Sequence, residues 1–383
     1  MDVTALTGAK VFDGEGWHTN AAVLLQAERI LRIAPIAEIP GDAQIERLPG
    51  GILAPGFIDA QVNGGGGVLL NDAPTSESMS RIAAAHRRFG TCGLLPTLIT
   101  TTAPAVEAAL RAAEKKPIPG VLGLHLEGPH LDQERKGVHD QQAMRPMTQT
   151  DLDMLLAADV GRLLVTVAPE QVGTDQVRRL VDGGIVVSLG HTDATFSRAK
   201  ELIDAGATGI THLFNAMSPL ENRAPGVVGA ALDAGTVWCG VIADGFHVDA
   251  ASLRIALRAK RPPGKLFLVT DAMSTVGSTM TSFPLGRKMV NLHHGRLTTI
   301  DDEGREVLAG SHLDMASAVR FCVANLELSI EEALRMASLY PAMFLRLESC
   351  RGRIGPGFAA DLVHLDAALN VTRTWVAGAS SQP

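Results

Sequence analysis

The feature of this sequence that most restricts its fold is an eightfold alternation of strand-like and helix-like segments. Short β-rich runs ending in polar or glycine-containing turns recur at Leu53–Asp59, Gly93–Leu98, Val121–Glu127, Leu163–Ala168, Ile185–Gly190, Thr208–His212, Val237–Ala243 and Leu266–Asp271. Helical patterns separate them, among them Ser76–Phe89, Ala103–Lys115, Thr174–Asp182, Phe196–Ala205 and Asp249–Ala259. A crossover helix returns the chain to the same edge of a sheet, so such units build parallel strands. Eight of them suit an α/β fold, the (β/α)8 barrel of TIM type, which typically takes ~250 residues. A doubly wound open sheet is the alternative.

The two ends of the chain read differently. Residues 1–52 hold short strand-like runs, Val23–Leu25 and Ile30–Ile33, and residues 351–383 hold Asp361–Leu365 and Thr372–Val376. Neither end is long enough to bury a good core alone. The expectation is therefore a small β-sandwich domain formed by both termini, beside a barrel over residues 53–350.

Composition removes several function classes. With 46% hydrophobic residues the chain of 383 residues can bury a large core. A net charge of −7 with scattered Lys and Arg argues against nucleic acid as a partner. No apolar run approaches the ~18 residues that a membrane span needs. The start, Met1-Asp2-Val3-Thr4, lacks the basic and apolar regions of a secretory signal. Four separated cysteines, with no C-x-x-C pair, read as free thiols of a cytoplasmic protein. Twelve histidines remain as the residues with most chemical options.

Loops at the C-terminal ends of barrel strands build the active site. The third predicted strand ends in Glu127, the fifth in His191-Thr192, the sixth in His212-Leu213-Phe214-Asn215-Ala216-Met217, and the eighth in Asp271. A lone strand-end His is usually a hydrogen-bonded structural residue, and a lone Asp is usually a helix N-cap. Two His and one Glu at one barrel mouth instead make a ligand set for a catalytic divalent metal with an open water position. Asp271 beside them could take that water's proton. His125 shares a strand face with Glu127 and is expected deeper in the barrel, supporting a ligand. His130 and His139 lie in the following loop, where His139 could polarise a carbonyl or be a solvated loop residue. The run Asn63-Gly64-Gly65-Gly66-Gly67 has the look of a phosphate cradle but lacks a P-loop ending, so a flexible loop is the expectation. Arg223 and His247, after strands six and seven, offer donors to an anion, or are ordinary surface residues.

Together these motifs are familiar. His125-Leu126-Glu127-Gly128-Pro129, Gly190-His191-Thr192, His212-Leu213-Phe214-Asn215-Ala216-Met217, Asp244-Gly245-Phe246-His247 and Leu268-Val269-Thr270-Asp271-Ala272-Met273 resemble those of the N-acetylglucosamine-6-phosphate deacetylases of the amidohydrolase superfamily. The likeness runs through nearly the whole chain, from Pro55-Gly56-Phe57-Ile58-Asp59 to Ala360-Asp361-Leu362-Val363. It implies hydrolysis of the acetamide of an amino-sugar phosphate, with Glu127, His191 and His212 binding the metal and Asp271 as general base and then acid. It also implies that His139 polarises the carbonyl, and that Asn215 and the backbone of Ala216 hold the sugar phosphate. Arg223 and His247 would complete the phosphate site across a homodimer interface. Where many amidohydrolases place His-x-His after strand one, this chain has Gln61-Val62-Asn63. Neutral amides are poor ligands beside imidazole. Gln61 and Asn63 are thus expected to support the site without binding, leaving one divalent metal per subunit: Zn²⁺ first, with Fe²⁺, Co²⁺ or Mn²⁺ possible.

Three alternatives are weighed. A deacetylase for the galactosamine isomer would carry the same chemistry. A dihydroorotase-like amidase would require a strand-four Lys, and Leu163–Pro169 has none. An inactive barrel scaffold would have no reason to retain all four chemical residues.

Overall fold

The computed structural model describes residues 3–114 and 117–382. Lys115, the expected end of the second helix, lies outside the described residues, as do Met1 and Asp2 of the N-terminal tetrapeptide; the helix itself runs Ala103–Ala113.

Eight parallel strands form one sheet in strict chain order: Phe57–Val62, Thr91–Ile99, Gly123–Glu127, Arg162–Val167, Val186–Leu189, Gly209–Ile210, Trp238–Val241 and Leu266–Leu268. We number them barrel strands one to eight. Consecutive order with parallel neighbours curls the sheet towards closure, as the alternation predicted. Strands one and eight, however, share no ladder among the described residues. That seam is joined by the single Val62–Ala272 bridge and by loop backbone, with the Asp271 and Asn63 amides donating to Gln61 O and Ala272 O at 2.9 Å each.

Amphipathic helices wrap the outside. Ser76–Arg87 starts at Thr75, whose side chain accepts from the Ser78 amide, and buries Met79, Ile82 and Ala83 at helical spacing. Thr174–Asp182 likewise buries Val177 and Leu180 and ends at Gly183.

Two sheets at the termini pack against each other. One runs Arg29–Pro35, Ala21–Gln26, Val3–Thr7, Gln44–Arg47; the other runs Ala379–Ser381, Val371–Val376, Leu362–Leu365, Ile52–Pro55, Lys10–Phe12, Trp17–His18. Their inner faces share one core containing Leu6, Val23, Leu53, Leu362 and Trp375. Both chain ends are needed to make it, which is the sandwich expected from their individual shortness. The first predicted strand, Leu53–Asp59, is in fact two. Ile52–Pro55 pairs in the terminal sheet, and the barrel begins at Phe57. Gly56 separates them because a Cβ there would lie 2.2 Å from Cys92 Sγ.

One element was not anticipated. After strand eight the chain forms an antiparallel four-stranded sheet, Ser282–Leu285, Lys288–His293, Arg296–Ile300 and Glu306–Leu308, with its own small core of Phe283, Val290 and Leu297 against Met273. Its signal was present: period-two runs flank His294-Gly295, both at positive φ, a two-residue hairpin turn.

Trp375 joins the two ends of the chain and is 1% exposed. Trp375→Ala is expected to destabilise the protein by ~3–5 kcal/mol, read as a drop in the urea midpoint. An unmoved midpoint would show that the terminal core contributes little.

Candidate metal centre and acid–base site

Strand register brings the chemical residues to one mouth. Glu127 is the last residue of strand three, paired with Ile99 of strand two and Thr166 of strand four. His191 lies just past strand five, His212 just past strand six, and Asp271 just past strand eight. All three adopt left-handed backbone, with φ of 47°, 33° and 52°. Such conformations cost roughly 1–2 kcal/mol for a residue with a Cβ. Their repetition at these three strand ends marks a site that the surrounding fold holds in place.

Three ligand atoms converge. His212 Nε2 is 2.9 Å from Glu127 Oε1 and 3.0 Å from His191 Nε2, while His191 Nε2 is 3.3 Å from Glu127 Oε1. Tetrahedral ligands at ~2.0–2.1 Å from an ion stand about 3.3–3.4 Å apart, so this triangle suits a small divalent metal. The donor chemistry fits as well. His191 Nδ1 donates to Arg135 O at 2.8 Å, which leaves a lone pair on the Nε2 that faces the site. The other ring nitrogen of His212, Nδ1, is buried without a hydrogen-bond partner among the described residues. Burial pushes the Glu127 carboxyl up, but the adjoining imidazoles of His191 and His212 outweigh it and hold the group well below the ordinary range. Burial pulls His212 down, and the bond to Glu127 overrides this and raises it.

His139 is the fourth member. Glu127, His139 and His191 each offer an atom within 4.8 Å of the others, and His139 Nε2 is 3.9 Å from Glu127 Oε2. Its Nδ1 meets the Thr100 hydroxyl at 2.8 Å and the Thr100 amide at 3.4 Å. An amide can only donate, so Nδ1 bears the lone pair and Nε2 bears the proton. His139 therefore presents a donor where His191 presents a lone pair. Burial, then the charge of His191, pushes its pKa down to about 3, which keeps the ring neutral.

Asp271 faces this group from across the barrel seam. Its Oδ1 accepts from Asn63 Nδ2 at 2.7 Å and from Gln61 Nε2 at 3.1 Å, and the same Gln61 amide reaches Glu127 Oε1 at 3.0 Å. Burial, then the charge of Glu127, raises the Asp271 carboxyl to about 6. Beneath it, Asp59 is fully buried and pushed up to about 7 by that burial. Its signal in the sequence was a charged residue at an inward position of strand one.

The remaining predicted residues fall as follows. His125 sits one layer down, between Thr97 Oγ1 at 3.1 Å and Thr166 Oγ1 at 2.8 Å, and burial lowers its pKa to about 4. Asn215 and Ala216 are half-buried beside His212, with Asn215 Nδ2 donating to His212 O at 3.2 Å. His247 Nδ1 meets Asp244 Oδ2 at 2.6 Å. Arg223 is exposed on the loop after strand six. His130 is turned away and bonds Arg145 O at 3.0 Å. The glycine run is neither phosphate cradle nor free loop. The amides of Gly64, Gly66 and Gly67 donate to Ala272, Val276 and Ser274 carbonyls, and a Cβ at Gly64 would lie 2.4 Å from Val68 O.

The Asp59 shift has a consequence for stability in chelator. Its folded pKa lies above the unfolded value, so its contribution is present below about pH 4 and is lost as pH rises through about 7. The stability of the wild-type chain relative to Asp59→Asn should therefore fall between about pH 4 and 7 and level off above it in paired urea titrations. A pH-independent difference would rule out the buried carboxyl as its source.

The chain matches the amidohydrolase family over residues 52–380. It is 43% identical over 345 residues to the N-acetylgalactosamine-6-phosphate deacetylase of Shewanella sp. (strain ANA-3), covering 89% of this chain and 86% of that one. It is 40% identical over 393 residues to the human N-acetylglucosamine-6-phosphate deacetylase, covering 97% and 92%. The crystal structure of N-acetylglucosamine-6-phosphate deacetylase from Pasteurella multocida superimposes with a TM-score of 0.93 at 33% identity, covering 100% of both chains. Barrel, strand-end ligand set and these likenesses agree: the chain belongs to the amidohydrolase family.

Proposed function

We propose that this protein hydrolyses the acetamide of N-acetylglucosamine 6-phosphate to glucosamine 6-phosphate and acetate. The observation that carries this is the buried Glu127–His191–His212 triangle with Asp271 opposite it. The relatives that share the fold over most of its length bear deacetylase names.

Glu127, His191 and His212 would hold one divalent metal per subunit, with Zn²⁺ first among the candidates. When bound, such an ion lowers the pKa of a water to ~7 and polarises a carbonyl. An amide needs both, being a poor electrophile with a poor leaving group. Asp271 Oδ1 is held by two amide donors, which leaves its second oxygen to take the water's proton and pass it to the departing nitrogen. His139, neutral with its proton on Nε2, donates to the carbonyl oxygen as charge develops there. Gln61 and Asn63 stand where other amidohydrolases carry histidines, and their N–H groups face the carboxylates as donors rather than ligands.

Asn215 and the backbone of Ala216 would hold the sugar phosphate, completed by Arg223 and His247 across a homodimer interface. The exposed position of Arg223 favours the neighbour. No described helix is long and apolar enough to cross a membrane. Four free thiols, three of them buried, suit a cytoplasmic setting. The 43% identical relative bears the galactosamine name, so that epimer is the second reading.

The test is acetate release from N-acetylglucosamine 6-phosphate, its galactosamine epimer and the unphosphorylated sugar, with and without chelator. Chelator-sensitive release from the glucosamine phosphate is expected, and none from any sugar would refute the reading. Metal analysis of active protein should give one equivalent per chain; two would overturn the role given to Gln61 and Asn63. Asp271→Asn keeps the Oδ1 acceptor and should retain metal while losing roughly 10²–10⁴-fold in kcat. Arg223→Ala should mainly raise KM for the phosphorylated sugar and leave weak turnover of the unphosphorylated one unchanged; equal effects on both would remove Arg223 from the phosphate site.

A further inference from the structure

The barrel is joined least well where its acid–base residue sits. Strands one and eight share no ladder among the described residues, yet Gln61 lies at the end of one strand, Asn63 follows it, and Asp271 follows the other. Besides the Gln61 and Asn63 amides that reach Asp271 Oδ1, one buried carboxyl spans this seam. Asp59 Oδ1 accepts the amides of Gln61 and Thr270, each at 3.2 Å, and Asp59 Oδ2 accepts the Thr270 hydroxyl at 2.5 Å. Asp59 is 0% exposed and has no cationic partner among the described residues. A buried carboxyl without a countercharge is unfavourable for folding, so its presence calls for another reason.

We infer that Asp59 is a positioning residue for the acid–base step: it clasps strand one to strand eight and so sets Asp271 against Gln61 and Asn63. The inference rests on the proposed deacetylase chemistry for its kinetic readout but on the hydrogen bonds for its geometry.

The reason for an ionised Asp rather than an amide lies in the direction of one hydroxyl. A carboxylate only accepts, so the Thr270 O–H must point at Asp59. Thr270 Oγ1 is then free to accept the Ala272 amide at 3.3 Å, and Gln61 O is left to the Asp271 amide at 2.9 Å. Those two bonds anchor the residues on both sides of the Asp271 Cα, which holds an otherwise unfavourable φ of 52°. With Asn at 59, the side-chain N–H would donate to Thr270 Oγ1. The hydroxyl would then turn towards Gln61 O, 3.5 Å away, and compete with the Asp271 amide for it.

The experiment compares Asp59→Asn, Thr270→Val and Thr270→Ser with wild type at pH 8, above the raised pKa of Asp59. Asp59→Asn and Thr270→Val should each lose on the order of 10–100-fold in kcat, with KM within twofold and metal content unchanged. Thr270→Ser, which keeps the hydroxyl, should restore near wild-type kcat. Wild-type kcat in Thr270→Val, or no rescue by Ser, overturns the inference, as does loss of metal in step with kcat. If the wild-type chain releases no acetate, the functional reading fails by itself. Crystal structures of wild type and Asp59→Asn then decide the clasp: Asp271 Oδ1 unmoved from Gln61 and Asn63 in the variant would overturn it.

Discussion

A buried carboxylate held between two imidazoles organises this molecule. Glu127 is 1% exposed and would be strongly unfavourable there as an isolated charge. It is tolerated because His191 and His212 reach its Oε1 within 3.3 Å, and because Gln61 donates to the same oxygen. Each partner comes from a different strand. The arrangement therefore exists only if strands one, three, five and six keep their register. In turn it fixes where the left-handed turns after strands five and six must fall.

The second organising constraint is the division of labour among neutral groups. Three histidines face one carboxylate, but their outer nitrogens meet different partners. Arg135 O accepts from His191, the Thr100 amide donates to His139, and Nδ1 of His212 has no partner among the described residues. Opposite tautomers in His191 and His139 make one a lone-pair donor and the other a proton donor within 4.3 Å of ring separation. Asp271 is distinguished from Glu127 in the same way. One carboxyl is raised by burial and by its like-charged neighbour, and the other is lowered by its imidazole partners. Groups whose proton affinities are pushed apart can act as acid, base and ligand side by side.

Much of this was legible in the chain. Glu127, His191, His212 and Asp271 each end a β-rich run, and parallel topology sends all such ends to one face, so their convergence followed from spacing alone. The strand boundary at Gly56 and the inserted sheet at 282–308 were harder. Ile52–Pro55 and Phe57–Val62 read as one apolar run, and only the approach of Cys92 shows where the chain must bend. The role of Asp59 was not legible either, because nothing local says that the hydroxyl it accepts comes from Thr270, 211 residues away.

The sequence by itself determined the barrel, the pooling of both termini into one domain, the chemical types at the strand ends and the amides in place of two histidines. These are set by periodicity, length and side-chain identity, which act locally. Tertiary structure alone decided which nitrogen of each histidine faces inwards, how Gln61 links Glu127 to Asp271, and how Asp59 joins the seam. Those depend on partners far apart in the chain, brought within hydrogen-bond distance only when the barrel curls round on itself.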